Sequence, residues 1–237
     1  AAQAILFGKC LNGGQTCIAP DYALVPRERV DAFVAAASAA VARLYPRLAG
    51  NPDYTSIIDA RHHARLWGYV EEARARGARV IPINPANEDL SATRKIAPTL
   101  VIDAPDDTRL MREEIFGPLL PVVPYDELDA AIAYVNARPR PLALYIFDHD
   151  RASIDRVLQQ TVSGGVTVNE TILHIAQDDL PFGGVGASGM GAYHGRAGFE
   201  TFSRMKPVFY QLRVNGLALL KPPYGRRFAW IAKWLTR

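Results

Sequence analysis

Cysteine is scarce in this 237-residue sequence, which contains only Cys10 and Cys17. Two cysteines cannot build a disulfide framework, and their spacing is not the CxxC pattern of a metal or redox pair. The scarcity excludes the small, disulfide-stapled secreted proteins and favours a reducing, cytoplasmic compartment. We expect Cys10 to be inert packing.

Long apolar runs are also missing, since none approaches the roughly 18 residues that span a bilayer. The first residues, Ala1-Ala2-Gln3, do not read as a signal peptide. The composition is 49% hydrophobic and 22% charged, which is typical of a soluble globular protein large enough for one large domain or two small ones. The adjacent His62 and His63 point apart on a helix, so we predict no metal site there.

Acidic residues are absent after Glu200, where eight basic residues contribute +8. Because the whole chain carries +3, the first 200 residues carry a net −5. A mildly acidic body argues against nucleic-acid binding and directs attention to the tail at 221–237. If this tail is helical after Gly225, one face carries Phe228, Ile231, Trp234 and Leu235.

Basic residues and tryptophans on one helix are typical of a segment that lies in a membrane interface. The alternative is that this tail docks on the protein itself or on a partner subunit. We therefore expect a cytoplasmic protein with possible peripheral association to a membrane surface.

Apolar residues recur at helical spacing in several stretches that alternate with short apolar runs typical of strands. This alternation predicts an α/β fold with a mostly parallel sheet flanked by helices. The continuous apolar run Leu142–Phe147 predicts a strand buried on both faces. The predicted helices are 1–8, Val30–Leu44, His62–Arg76, Asp126–Ala137 and Arg151–Gln160; the other predicted strands are Tyr22–Pro26, Arg79–Ile83, Thr99–Ile102, Leu119–Val123 and Gly165–Asn169.

Three stretches contain candidate functional residues. The first is Asn12-Gly13-Gly14-Gln15-Thr16-Cys17, in which two glycines suit a turn that presents a thiol and backbone N–H donors to a ligand. A free cysteine is just as often a small buried hydrophobe, so both readings of Cys17 stay open. In the second stretch, Glu113 to Pro118, one carboxylate could bind sugar hydroxyls and Phe116 could lie against a planar ring; a solvated acid pair is the alternative.

The third stretch, Gly184 to Gly189, matches the letters GxGxxG. A dinucleotide fingerprint needs a strand directly before the glycines and an acid about 20 residues later, and neither is present. We therefore predict no phosphate site, but a mobile, glycine-shaped loop that lies against the active site or against a neighbouring segment.

Together and in this order, the three stretches resemble the aldehyde dehydrogenase superfamily. They are similar to its nucleophile loop, its EEIFGP motif and its late PFGG loop, Pro181 to Gly191. The continuation into Tyr193-His194-Gly195 looks most like the class 3 branch, which includes fatty, aromatic and coniferyl aldehyde dehydrogenases. The resemblance covers about residues 1–213.

The resemblance implies a set of roles. Cys17 would attack the aldehyde carbon to form a thiohemiacetal and then a thioester, with its own backbone N–H as one oxyanion donor and Asn12 shaping the loop. NAD or NADP would accept the hydride, Glu114 would bind the nicotinamide ribose, and Phe116 would flank the nicotinamide. Phe182 would line the aldehyde pocket.

The resemblance also implies that the cofactor-binding half, the oxyanion asparagine and the deacylating glutamate lie upstream of Ala1. We expect this chain to be the catalytic half, 1–205, followed by a strand-like dimer-contact segment, 206–220, and the basic tail. Pro207–Tyr210 would be the strand, and a homodimer is expected. The alternatives are a cysteine hydrolase or acyl transferase that uses His174 or His194, and an inactive chain that only dimerises or binds the missing half.

Overall fold

The computed structural model describes residues 1–214, 216 and 221–236, without the side chains of Arg227 and Leu235. Contacts divide the chain into two units, Ala1–Phe202 and Ser203–Arg237. The sequence predicted a boundary close to this one, between residues 205 and 206.

The first unit alternates strands and helices, as the sequence predicted. Its helices are α1 (Ala2–Cys10), α2 (Val30–Leu44), α3 (Ala60–Ala75), α4 (Arg109–Arg112), α5 (Leu128–Asn136), α6 (Arg151–Gln160) and α7 (Gly195–Thr201). Its strands are β1 (Ala23–Pro26), β2 (Arg79–Pro82), β3 (Thr99–Ile102), β4 (Leu119–Tyr125), β5 (Ala143–Ile146) and β6 (Gly165–Val168).

The strands form two sheets in the described part of the chain. Four of them follow the order β1-β4-β3-β2, and β5 pairs with β6. The β1–β4, β3–β4 and β5–β6 pairs are parallel, and only the pairing of β2 with β3 is antiparallel. The prediction of a mostly parallel sheet in an α/β fold is confirmed.

Helices cover both faces of the four-stranded sheet. On β3, Leu100 and Ile102 pack in one cluster with residues of α1 and α2, whereas Val101 packs in another cluster with residues of α3. This split follows from the alternation of side chains along a strand. Strands buried on both faces explain why the sequence of β3 is a continuous apolar run.

Helices α2 and α3 show how their sequences determine packing and helix ends. In α2, Ala37 and Val41 are fully buried four residues apart, on the face that packs against α1. Asp59 caps α3 by accepting the His62 backbone N–H at 2.7 Å, and Gly77, at φ +90°, follows the end of the helix.

The burial predicted for Leu142–Phe147 is wrong. The strand is shorter, Ala143–Ile146, and only Ile146 is buried while the other three residues are half-buried. Its backbone has a strand partner on one side only, β6, and its other side borders a large cavity. In the described part of the chain, the apolar run therefore belongs to a strand that pairs with one neighbour, β6.

The second unit contains a helix, α8, at Arg226–Leu235, as predicted after Gly225. The predicted strand at Pro207–Tyr210 is not formed, since 203–214 contain no strand. A strand forms only where a second strand supplies backbone hydrogen-bond partners, and 203–214 have no such partner among the described residues. The dimer contact remains a prediction. In the described part of the chain, no helix combines the length and apolar character needed to cross a bilayer.

Candidate active site

The loop before Cys17 has an unusual backbone. Asn12, Gly13 and Gly14 all lie in the left-handed region, with φ of 51°, 62° and 76°. Glycine enters this region at no steric cost, and asparagine tolerates it better than most residues. The Asn-Gly-Gly sequence therefore permits the sharp turn that follows α1 and presents Cys17.

Gln15 ties this loop to the chain around Ser56. Its side-chain amide donates to the Asn12 carbonyl at 2.9 Å and to the Ser56 carbonyl at 3.1 Å. Its side-chain oxygen accepts the Ile58 N–H at 2.9 Å. Asn12 completes the bracing by donating its side-chain amide to the Gln15 carbonyl at 3.1 Å. The Asn12 side chain thus supports the loop from within.

Close backbone packing joins this loop to the Glu113–Pro118 stretch. A Cβ on Gly14 would lie 2.3 Å from the Gly117 carbonyl oxygen, a distance that real Cβ contacts do not show. A Cβ on Gly117 would in turn lie 2.5 Å from the Leu66 side chain. Two motifs about 100 residues apart in the sequence therefore meet through glycines that leave no room for a methyl group.

Asp21 makes a second connection between the same two stretches. Its carboxylate accepts the Ile115 backbone N–H at 3.2 Å. Burial raises the pKa of Asp21, and nearby Lys9 partly opposes the shift. Burial lowers the pKa of Lys9 to about 8, although Asp21 favours its charged form. Lys9 is thus fully buried and Asp21 half-buried, and each favours the charged form of the other against the effect of burial.

Side chains of helix α3 hold the Glu113–Pro118 stretch in place, mainly by hydrogen bonds to the backbone of that stretch. Arg65 donates to the carbonyls of Glu114 and Ile115 at 3.2 and 2.7 Å. The Tyr69 hydroxyl donates to the Glu113 carboxylate at 2.5 Å. The Glu113 carboxylate thus has a hydrogen-bond partner, whereas the exposed Glu114 carboxylate has none in the described residues. The two acids of the predicted solvated pair have different environments.

Cys17, Glu114 and Phe116 all line one cavity of about 1360 Å³. Phe116 is held at φ 49°, a strained conformation for an aromatic residue. Ala187 and Ser188, from the glycine-rich loop, line the same cavity. The sequence analysis brought Cys17, Glu114 and Phe116 together by motif, and the structure places all three around this cavity.

The two cysteines have opposite environments. Cys17 is exposed, whereas Cys10 is only 1% exposed and packs in the main core cluster. Burial raises the pKa of Cys10 to about 12. The Cys17 backbone N–H and Sγ have no hydrogen-bond partner among the described residues, which leaves both groups available to a ligand.

Phe182 lies in a different environment from Cys17. It is buried, forms a backbone bridge with Tyr193, and its ring contacts the rings of His174, Tyr193 and His194. It is not among the residues that line the Cys17 cavity. In the described part of the chain, neither His174 nor His194 bonds to Cys17: one pairs with Thr167 at 2.9 Å and the other with the Leu180 carbonyl at 3.1 Å.

The glycine-rich loop forms a tight turn. Gly186 and Gly189 form an isolated backbone bridge, and the Ser188 hydroxyl accepts the Val185 N–H at 2.9 Å. No strand runs directly into this turn and no helix starts at its end. The arrangement differs from a dinucleotide fingerprint, in which the glycines join a strand to a helix.

One cavity is bordered by the loop that presents Cys17, the Glu113–Pro118 stretch and the glycine-rich loop. The resemblance implied that these three motifs belong to one site. The aldehyde dehydrogenase family matches residues 1–208. The chain belongs to this family.

Relatives place the chain more closely within the family. It is 57% identical over 229 residues to a probable coniferyl aldehyde dehydrogenase of Caulobacter vibrioides, covering 95% of this chain and 47% of that protein. The structure of substrate-bound Staphylococcus aureus AldH superposes with a TM-score of 0.82 at 38% identity, covering 99% of this chain and 50% of that one. A Mycobacterium tuberculosis aldehyde dehydrogenase complexed with NAD+ superposes at 0.75 with 29% identity, covering 88% and 44%. The predicted class 3 resemblance is confirmed, and the chain spans about half the length of these proteins.

Sequence reasoning missed several residues that hold the site together. It gave Gln15 and Gly117 no individual role, although both lie inside the quoted motifs, and it did not consider Asp21, four residues after Cys17. It also missed Tyr145, whose hydroxyl donates to the Ile18 carbonyl at 2.7 Å and so connects β5 to the nucleophile loop. No sequence signal marks Tyr145, because the contact spans 127 residues.

Iodoacetamide should label Cys17 well before Cys10, because alkylation needs an accessible thiolate and Cys10 is buried with a raised pKa. Peptide mass spectrometry on the folded chain, sampled over time, measures the two rates separately. Labelling in denaturant is the control, and there the two rates should converge. Faster labelling of Cys10 in the folded chain would contradict the assignment of Cys17 as the accessible thiol.

Proposed function

We propose that this chain supplies the thiol and part of the cofactor site of an NAD(P)-dependent aldehyde dehydrogenase. The observation that carries the proposal is the exposure of Cys17 in the same cavity as Glu114 and Phe116, within a family of aldehyde dehydrogenases. The Caulobacter relative, named a probable coniferyl aldehyde dehydrogenase, favours an aromatic aldehyde as substrate.

Cys17 acts as the nucleophile in this proposal. Its thiolate attacks the aldehyde carbon, and the carbonyl oxygen becomes an oxyanion that the Cys17 backbone N–H can receive. Loss of hydride from that carbon leaves an acyl thioester on Sγ. Water then cleaves the C–S bond, which releases the carboxylic acid and returns the thiol.

The residues around the cavity fit one end of a nicotinamide cofactor. The Glu114 carboxylate is exposed and has no hydrogen-bond partner in the described residues, so it can accept from ribose hydroxyls. Phe116 offers an aromatic surface beside it. When bound, NAD+ or NADP+ supplies the two-electron acceptor for the hydride. Asn12, through its bond to Gln15, positions the loop.

A cysteine hydrolase is the competing function, and the geometry gives it less support. Such an enzyme activates its thiol with a histidine within hydrogen-bond reach. His174 and His194 each bond to another group and, among the described contacts, not to Cys17. Phe182 remains a proposed wall of the aldehyde pocket, although it is not among the residues that line the Cys17 cavity.

A fused protein tests the function. The part of the Caulobacter relative that precedes its match to this chain is joined to Ala1, and NADH or NADPH formation is measured with coniferyl aldehyde. We expect turnover in the fused protein and none in the 237-residue chain alone. Cys17→Ser should lower kcat/KM by at least about 10³-fold, whereas the matched Cys10→Ala variant should stay active. Turnover that survives Cys17→Ser, or a folded fusion without turnover, would contradict the proposal.

The second unit contains a helix suited to binding a membrane surface. Trp230 and Trp234 of α8 are 72% and 71% exposed, and basic residues accompany them without an acid. We propose that this helix lies on an anionic lipid surface, since tryptophans and cations favour the interface. The exposed Val208, Phe209 and Tyr210 support the separate proposal of a homodimer contact.

Vesicle co-sedimentation tests the lipid proposal. The full chain should sediment with anionic phosphatidylserine vesicles and much less with neutral phosphatidylcholine vesicles, because the tail is cationic. A chain ending at residue 220 and a Trp230→Ala/Trp234→Ala variant should both remain in solution. Equal sedimentation of all three proteins would show that α8 does not bind the vesicles.

A further inference from the structure

The turn after β6, residues 171–174, is held against two other elements of the fold. The buried Thr171 hydroxyl donates to the Ala4 carbonyl of α1 at 3.0 Å. The buried His174 shares a hydrogen bond of 2.9 Å between its Nδ1 and the Thr167 hydroxyl of β6. Because α1 runs into the loop that presents Cys17, this turn has a fixed position close to the candidate site.

Tyr145 connects this turn to the loop that presents Cys17. In the parallel pairing of β5 with β6, Tyr145 lies opposite Thr167. Residues in register on neighbouring strands share a face of the sheet, so both side chains point toward the turn. The Tyr145 hydroxyl donates to the Ile18 carbonyl at 2.7 Å, and the Ile172 N–H faces the same hydroxyl as a hydrogen-bond donor. One hydroxyl group therefore joins both segments.

The backbone of Ile172 is strained. Its φ of 68° lies in the left-handed region, which a β-branched residue rarely adopts. Such a conformation costs about 1–3 kcal/mol and persists only where the surrounding structure holds it, often at functional sites. The bonds of Thr171 and His174 on either side supply that support. The Ile172 N–H is thereby kept directed at Tyr145.

The Tyr145 hydroxyl suits positioning rather than proton transfer. Burial raises the pKa of Tyr145 to about 12, although the Ile172 N–H lowers it, and negative charge at nearby Cys17 raises it further. The group is therefore a neutral phenol at pH 7, and its single proton is already donated to the Ile18 carbonyl. Tyr145 and Cys17 line the same cavity.

Ring contacts extend this connection to Phe182. The His174 ring lies 6.0 Å from the Tyr145 ring and 5.8 Å from the Phe182 ring, measured between centroids. A Cβ on Gly165 of β6 would lie 2.7 Å from His174, so this glycine leaves the space that the histidine occupies. The contacts thus lead from the Cys17 loop through Tyr145 and His174 to the proposed wall of the aldehyde pocket.

We propose that Tyr145 is a positioning residue for the reaction at Cys17. Its hydroxyl holds the loop after Cys17 at a fixed distance from the turn 171–174, and thereby from Phe182. This inference rests on the proposed function, in which the thiol must meet an aldehyde carbon that the pocket holds. Catalysis is sensitive to displacements of about 1 Å, so one anchor shared by the two segments preserves their alignment.

Tyr145→Phe tests the anchor, because it removes the hydroxyl and keeps the ring. Hydrogen exchange with mass spectrometry on the 237-residue chain should show exchange at least about fivefold faster in 15–22 and in 171–176, since both segments lose the same partner. Exchange in β3 should not change. The matched control is Tyr125→Phe, which should alter neither segment: Tyr125 lines the same cavity, but its hydroxyl has no hydrogen-bond partner among the described residues.

Kinetics of the fused protein separate a role in alignment from a general loss of structure. Tyr145→Phe should lower kcat for coniferyl aldehyde at least about tenfold, because the thiol and the carbonyl lose their alignment. The KM for the dinucleotide should change by less than about twofold, since Arg65 of α3, and not Tyr145, holds the backbone at Glu114 and Ile115. Tyr125→Phe should leave both quantities unchanged.

Faster exchange in only one of the two segments, or in neither, would overturn the inference, as would a Tyr145→Phe fused protein with kcat within about twofold of the unchanged one. Fast exchange throughout β3 would show that Tyr145 supports the whole fold, which also overturns a role limited to position. If the unchanged fused protein has no turnover, the proposed function fails, and the exchange comparison still decides whether Tyr145 joins the two segments.

Discussion

The close approach of Gly14 to Gly117 is the contact on which the site depends. Neither position has room for a methyl group, and Gly14 also requires a left-handed backbone. The contact places the turn that presents Cys17 against the loop that presents Glu114 and Phe116. Asp21 and Gln15 then hold the two sides of the turn by hydrogen bonds to Ile115, Ser56 and Ile58. Replacing Gly14 by a larger residue would push the two loops apart, whereas a side chain at Gly117 would meet Leu66 of α3.

Much of the fold is determined by local sequence patterns, and that part could be predicted. The helical spacing of apolar residues predicted α2, and short apolar runs predicted β3 and β4. Motif resemblance brought Cys17, Glu114 and Phe116 to one cavity. The burial of β5 could not be predicted, because it depends on which strand lies beside it. The Gly14–Gly117 contact also escaped sequence reasoning, since a glycine carries no sign of the backbone it approaches.

The half-buried strand β5 and the exposed Cys17 border the same cavity. A nucleophile needs a carbonyl held at a fixed distance, and catalysis is sensitive to displacements of about 1 Å. In this structure, Tyr145 of β5 restrains one wall of the cavity of about 1360 Å³ through its bond to the Ile18 carbonyl. The half-buried side chains of β5 and its bond to the loop before β1 thus belong to one wall of this cavity.

A double-mutant cycle at Gly14 and Gly117 tests the central contact most directly. Gly14→Ala should lower the free energy of unfolding by at least about 2 kcal/mol, while Gly50→Ala, with open space around its Cβ, should change it by less than about 0.5 kcal/mol. If the loops meet as described, the Gly14→Ala/Gly117→Ala double variant should lose at least about 1 kcal/mol less than the sum of the single losses. Losses that add within about 0.5 kcal/mol would contradict the contact and, with it, the shared placement of Cys17 and Glu114.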